Sequence, residues 1–339
     1  MGKAPTVHDV AERAGVSRQT VSNVLNSPDI VRPGTRERVL VAIDELGYHR
    51  HGAARRLRLR RSSAIGIRLD PYVGGISGIV LDRFVHAITE RASARGMRML
   101  VYSARSPEEE LARLGELWES SDIDAAIITG TERDDPRVPQ LAAKGVPFVS
   151  FGRPWGRDDI ADPTHLWVDV DGAAGTRAAT EHALDFGPRV VFLGWPAGSG
   201  TGDDRERGWL EGMRAAGMPQ PAASGIRLVA EEGVTAARAT VAERLASGLE
   251  ADSIVCVSDT LAVGALLALN DAGRMVPVIG FDNTPTAAAL GFSSVEQRPE
   301  DVASGVLELL MGSTGDVVVP KAPEAGSAHV LIAPELVVR

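Results

Sequence analysis

The chain has 339 residues, 44% hydrophobic and 4% aromatic, with a formal net charge of −9; at roughly 150 residues per domain, that suits two domains, or two plus a small appendage. No apolar run approaches the roughly 20 residues that span a bilayer, and the start "MGKAPTVHDVAERAG" lacks a signal-peptide core. One cysteine, Cys256, excludes an internal disulfide framework and a multi-cysteine metal site. A cytoplasmic protein with no membrane partner is the expectation.

The charge is uneven. Residues 1–61 hold 12 Lys/Arg and 6 Asp/Glu, a net of +6, while residues 62–339 hold 24 and 39, a net of −15. A basic head on an acidic body suits a protein whose one end meets nucleic acid.

In chain order, Thr6 and Asp9 have the spacing of a capping box ahead of a helix on which Val10, Ala11 and Ala14 recur. Gly15 suits the left-handed turn that ends it. Ser17 predicts the cap of a second helix, Arg18 to about Asn26, with Val21, Val24 and Leu25 inward. Its outer face carries Arg18, Gln19, Ser22, Asn23 and Asn26. A third helix follows Pro33-Gly34-Thr35, with Val39, Ile43 and Leu46 inward, and ends at Gly47. Two short helices joined by "AGVS" and closed by a third make a small all-α helix-turn-helix headpiece. Arginine can bond guanine O6 and N7 together, and glutamine or asparagine can do so for adenine N6 and N7. The alternative is a merely solvated polar face; the turn spacing and basic surroundings weigh against it.

The stretches "TVHDVAERAGVSRQTVSNVLN" and "VRPGTRERVLVAIDELGY" resemble the headpiece of the lactose/galactose repressor family of bacterial transcriptional regulators, densely from Thr6 to Tyr48. The resemblance implies that the second helix enters the major groove of a double-stranded operator, with Arg18, Gln19, Ser22 and Asn23 reading bases. It implies that Val7, Ser17, Asn26, Thr35 and Tyr48 position the DNA backbone, a separate task.

"HRHGAARRLRLRRSS", His49 to Ser63, follows as a linker with a short helix at about Ala53–Leu59. So short a helix is marginal alone in water, and phosphate contacts would help it form. By the resemblance, Leu57 falls on the leucine that wedges into the minor groove and kinks the duplex, and Ala54 on the alanine a turn earlier. Arg50 and His51 depart from the family's proline and asparagine, which puts the entry into this hinge in question. A flexible basic linker is the other reading.

From Ala64 onward, "AIGIRL", "MRMLVY", "DAAIIT" and "PFVSF", then "LWVDV", "RVVFLG", "GIRLVA", "SIVCVS" and "VPVIGF", read as buried strands alternating with helices. That alternation implies parallel sheets with right-handed crossovers. The strands divide near Ala161–His165 into two doubly wound α/β subdomains, with a ligand cleft at the carboxyl ends of their strands. The body resembles, at lower density, the sensing core of the same family, itself similar to periplasmic binding proteins. By that resemblance the chain crosses between halves three times. The domains are expected at 1–50 (headpiece), 51–61 (hinge), 62–163 with 295–325 (N-terminal effector subdomain), and 164–294 with 326–339 (C-terminal effector subdomain).

Several residues fall at predicted strand ends. "VDVDG" places Asp171 before a helix, and "DDRERGW" carries the family's Arg-x-x-Gly-aromatic pattern, which makes Arg205 the effector arginine. "CVSDTLAVGAL" places Ser258 at a pocket position with Asp259 beside it, and "VIGFDNT" puts Asp282 at the family's ligand carboxylate. Carboxylates and an arginine suit a polyhydroxylated ligand; helix capping is the alternative for Asp171 and Asp259, and ion pairing for Arg205 and Asp282. Trp195 could stack on a sugar face or pack between the halves. The loop "GSGTG" lacks the Gly-Lys-Ser/Thr of a nucleotide-hydrolysing loop. Cys256 reads as core packing. In "DPYVGGISGIVLD", Asp70, Tyr72 and Ser77 are further candidates.

The function read from these residues is a sequence-specific transcriptional regulator, presumed a repressor by the resemblance, that responds to a small molecule, with a sugar or sugar derivative as the first expectation. A cytoplasmic solute sensor with a nucleoside or purine ligand is the alternative. No nucleophile–base pair, metal cluster or cofactor fingerprint points to an enzyme. Two heads on a twofold homodimer would match a pseudo-palindromic operator. The chain ends soon after its last strand without a leucine heptad, so a dimer rather than a tetramer is expected.

Overall fold

A computed structural model describes residues 5–26, 28–48, 62–69, 78–156, 158–218, 226–311, 317 and 328–339. It resolves two compact units, Met1–Arg60 and Arg61–Arg339. The hinge residues Ala54 and Leu57, and the loop candidates Asp70, Tyr72 and Ser77, lie outside the described residues.

The head is three helices: α1 (Val7–Ala14), α2 (Arg18–Asn26) and α3 (Pro33–Leu46). The capping box forms as the spacing predicts. The Thr6 amide donates to Asp9 Oδ2 at 2.7 Å, and the Asp9 amide to Thr6 Oγ1 at 3.4 Å. Gly15 ends α1 at φ +65°, a conformation that costs glycine little. Ser17 Oγ accepts from the Thr20 amide at 3.1 Å, which caps α2. The third helix starts at Pro33, earlier than expected, because proline at the first position loses no needed N–H. Val10, Ala11, Ala14, Val21, Val24, Val39, Ala42 and Tyr48 close one small core.

The second unit holds two six-stranded sheets. The first contains β1 (Ala64–Leu69), β2 (Arg98–Ser103), β3 (Ala125–Ile128), β4 (Phe148–Phe151), β5 (Trp167–Val170) and β11 (His329–Ile332), in the order β11-β5-β4-β3-β1-β2. The second contains β6 (Val190–Gly194), β7 (Arg227–Val229), β8 (Ser253–Cys256), β9 (Val278–Phe281), β10 (Ser293–Glu296) and β12 (Glu335–Val337), in the order β12-β10-β9-β8-β6-β7. All the pairs are parallel except β10–β12. Helices α4 (Ile79–Ala94), α5 (Pro107–Glu119), α6 (Arg137–Lys144) and α12 (Pro299–Met311) belong to the first half. Helices α7 (Gly172–Leu184), α8 (Gly200–Ala215), α9 (Val234–Ala246), α10 (Asp259–Asp271) and α11 (Pro285–Leu290) belong to the second.

The three crossings between halves follow β5, β10 and β11, so the expected boundaries shift. β5 pairs in parallel with β4 and stays in the first sheet, although the loop before it marked the expected division at 163/164. β10 lies wholly in the second sheet, past the expected boundary at 295. The segment 326–339 is shared, because β11 joins β5 and only β12 joins β10. Pairing partners decide these assignments, and a strand's own residues do not state them. Cys256 is buried in β8, as expected of a packing residue. Among the described residues no helix is long and apolar enough to cross a membrane, and no acidic, histidine or cysteine group could hold a metal ion.

Candidate functional site

The carboxyl ends of both sets of strands face a cavity of about 230 Å³. Its walls include Thr129 and Thr131 after β3, Arg153 and Trp155 after β4, and Asp169 on β5. From the second half come Thr201, Asp204 and Arg205 on α8, and Gln297 after β10.

Helix α8 reaches the cavity because Gly208 lets it press against α7. A Cβ on Gly208 would stand 2.1 Å from the Ala173 carbonyl oxygen. The next residue, Trp209, is 1% exposed and stacks on Phe192 at 5.3 Å. The Arg-x-x-Gly-aromatic spacing thus has a physical meaning: the glycine and tryptophan dock the helix, and Arg205, one turn earlier, is carried to the cleft.

Arg205 is buried, with Nη1 donating to the Val257 carbonyl at 2.6 Å and lying 3.7 Å from Asp282 Oδ1. Its guanidinium sits 3.7 Å over the Phe281 ring. Burial lowers its pKa, against the pull of Asp282 and neighbouring carboxylates. Asp282 is pushed up to about 7 by burial, with Arg205 opposing. It holds φ at +114°, a strained conformation for a non-glycine residue, and accepts from Gln297 Nε2 at 2.5 Å.

A second arginine, which sequence reasoning missed, spans the cleft. Arg153 Nε donates to Asp169 Oδ2 at 2.6 Å within the first half, and Nη2 to Asp204 Oδ2 at 2.7 Å on the second. Its guanidinium lies 4.4 Å from the Trp155 ring centre. Burial opposes the charge on Arg153, but the two carboxylates hold its pKa up. Burial raises Asp169, with Arg153 working against it. Asp204 Oδ2 also accepts the Ala173 amide at 3.0 Å, and Oδ1 accepts Arg207 Nη2 at 2.5 Å.

Three of the five sequence candidates stand elsewhere. Asp171 caps α7, its Oδ1 accepting the Ala174 amide at 2.9 Å, while Asp169 lines the cavity instead. Ser258 caps α10 through the Leu261 amide and donates to Glu232 Oε2 at 2.9 Å. Trp195 donates to the same Glu232 oxygen at 2.6 Å and lies 5.6 Å from the Arg205 guanidinium, beside the cavity and not on its wall; Phe151 and Trp155 are the aromatics that line it. Arg205 lines the cavity, and Asp282 stands behind Arg205 and Gln297. Asp259 is buried as a structural tie, accepting from the Thr284 amide and hydroxyl and from Ser294 Oγ at 2.6–2.8 Å.

On the head, Arg18 and Gln19 are exposed on α2 and Ser22 and Asn23 half-exposed. Gln19 Nε2 donates to Asn23 Oδ1 at 3.0 Å, so two of the proposed base readers meet on one face. Val7 and Thr35 are half-buried at the starts of α1 and α3, and Ser17 is exposed at the α2 cap. Tyr48 is 8% exposed and packs into the core of the head, a structural task besides the backbone contact expected of it. The side chain of Asn26 is outside the described residues.

Family models match both units. Residues 6–51 match "Bacterial regulatory proteins, lacI family", and residues 80–309 match "Periplasmic binding proteins and sugar binding domain of LacI family". The chain belongs to the LacI family. It is a helix-turn-helix transcriptional regulator and not an enzyme. It is 32% identical over 337 residues, 94% of each chain, to the HTH-type transcriptional regulator CelR of Thermobifida fusca. Among solved structures, a CelR–cellobiose complex superposes with TM-score 0.67 at 28% identity, covering 99% of both chains. The Lac repressor dimer bound to operator and the anti-inducer ONPF superposes with TM-score 0.80 at 23% identity, covering 99% of this chain and 98% of that one, a likeness of fold.

Proposed function

We propose that this regulator binds a polyhydroxylated effector in the cavity between its two sheets, and that binding changes its affinity for a pseudo-palindromic operator read by the heads of a homodimer. The observation that carries the ligand class is a set of buried polar atoms without partners: Thr129 Oγ1, Trp155 Nε1 and Arg205 Nε. All three belong to residues lining one cavity. A buried polar atom left without a partner costs free energy, so each favours a ligand that supplies one. Sugar hydroxyls both accept and donate, and so answer indole, guanidinium and hydroxyl groups together. The likeness to CelR, whose solved complex holds cellobiose, supports the same class.

Arg18, Gln19, Ser22 and Asn23 read bases in this account, and Val7, Ser17, Asn26, Thr35 and Tyr48 fix the backbone. Leu57 and Ala54 make the minor-groove contact, and the protein represses transcription in the cytoplasm. A thermal-shift screen of sugars and nucleosides on the full chain, followed by calorimetric titration of the best ligand, tests the reading. A sugar that stabilises the wild type and loses at least tenfold in affinity with Arg205→Leu supports it. Stabilisation by nucleosides alone refutes it.

A further inference from the structure

Not every sugar derivative fits this cleft. Resting on the carbohydrate reading above, we infer that the effector is uncharged, and that the Asp169–Arg153–Asp204 bridge makes the cavity reject phosphorylated sugars.

A phosphate group needs guanidinium or backbone N–H donors that lack an anion of their own. Among the described residues, the arginines at this cleft already have carboxylates beside them. Arg153 is held between two carboxylates, Asp169 at 2.6 Å and Asp204 at 2.7 Å. Arg207 pairs with Asp204 and Glu211. Arg205 lies in the field of the Asp169, Glu232 and Asp204 carboxylates, with Asp282 3.7 Å away. A dianion that reached its free Nε edge would meet that same field.

The two helix ends at the cleft have amides engaged in the same way. At α7, the Ala173 amide donates to Asp204 and the Ala174 amide to Asp171. At α8, Ser199 Oγ accepts the Gly202 amide, and the Asp203 carboxylate accepts the Gly198 amide at 3.2 Å. The Trp155 ring covers Gly200, where a Cβ would stand 2.1 Å from it. Among the described lining residues, the buried polar atoms without partners are a hydroxyl, an indole N–H and one guanidinium N–H, groups that serve neutral hydroxyls. Like charges brought together at a desolvated site are strongly disfavoured.

The test is calorimetric titration of the full chain with matched pairs: glucose and glucose 6-phosphate, cellobiose and its 6′-phosphate, trehalose and trehalose 6-phosphate. The expected result is that one neutral member binds and its phosphate binds at least about 30-fold more weakly. Asp204→Asn removes one carboxylate from Arg153, and should narrow that gap at least about fivefold. A phosphate that binds the wild type as well as or better than its neutral partner overturns the charge argument and leaves the carbohydrate reading standing. Silence from both members of every pair overturns the carbohydrate reading and this inference with it.

Discussion

Arg153→Ala is the perturbation whose cost the structure specifies best. The side chain is 10% exposed and neutralises two buried carboxylates from opposite walls of the cleft. Removing one partner of a buried pair typically costs about 3–5 kcal/mol, because the remaining charge is stranded. Asp204 keeps Arg207 and the Ala173 amide, so the loss falls mainly on Asp169, and the lower end, about 3 kcal/mol, is expected. For a unit of the size of Arg61–Arg339 that lowers Tm by roughly 5 °C.

The pH dependence has a definite sign. Burial already raises the Asp169 carboxyl, and loss of Arg153 raises it further. A carboxyl whose folded pKa exceeds its unfolded one binds more protons when folded, so the variant recovers stability as pH falls. Thermal unfolding followed by circular dichroism should therefore show a smaller penalty at pH 5 than at pH 8. Arg153→Met combined with Asp169→Asn should restore most of the loss, since it removes the stranded charge. A penalty below about 1 kcal/mol that is equal at both pH values would refute the reasoning.

Asp282, held near 7 by burial, retains its proton in the fold while the unfolded chain loses it above about 4. The contribution of this group to stability therefore falls as pH rises from about 4 to 7. Asp282→Asn should gain Tm relative to wild type as pH rises through that window; a difference constant with pH contradicts the assignment. Gly208→Ala should cost about 2 kcal/mol or more, because its Cβ meets the Ala173 carbonyl at 2.1 Å, and an unchanged denaturation midpoint in urea would contradict the α7–α8 docking. Arg18→Ala should weaken binding to a selected operator roughly 5- to 150-fold and relax the preference at one base pair. A uniform loss on all sequences would make Arg18 a phosphate contact.

The strands were legible where apolar runs announce them, as in "AIGIRL", which became β1 with its bounds intact. β10 was not, since "SSVE" offers one apolar residue and is held by pairing with β9 and β12. Assignment of strands to halves depends on partners distant in sequence, which is why β5 and β11 changed sides. At the site, Arg205 was readable because its docking glycine and tryptophan follow at fixed spacing. Arg153, Asp169 and Asp204 carry no local pattern: they are 16 and 51 residues from Arg153 along the chain and meet only when the strands assemble. Glu232 was missed for the same reason: it is exposed on a loop, and Trp195 and Ser258, distant in sequence, meet it only in the fold.

The central claim is that the cavity and the headpiece are coupled. The direct test is fluorescence-anisotropy titration of the full chain onto an operator selected from random duplexes, with and without a saturating sugar identified by calorimetry. The account predicts a change in operator Kd of roughly 5- to 150-fold. Because coupling between two binding sites is reciprocal, operator should change the sugar's Kd by the same factor. Saturation of the cleft with no change in operator affinity would contradict it.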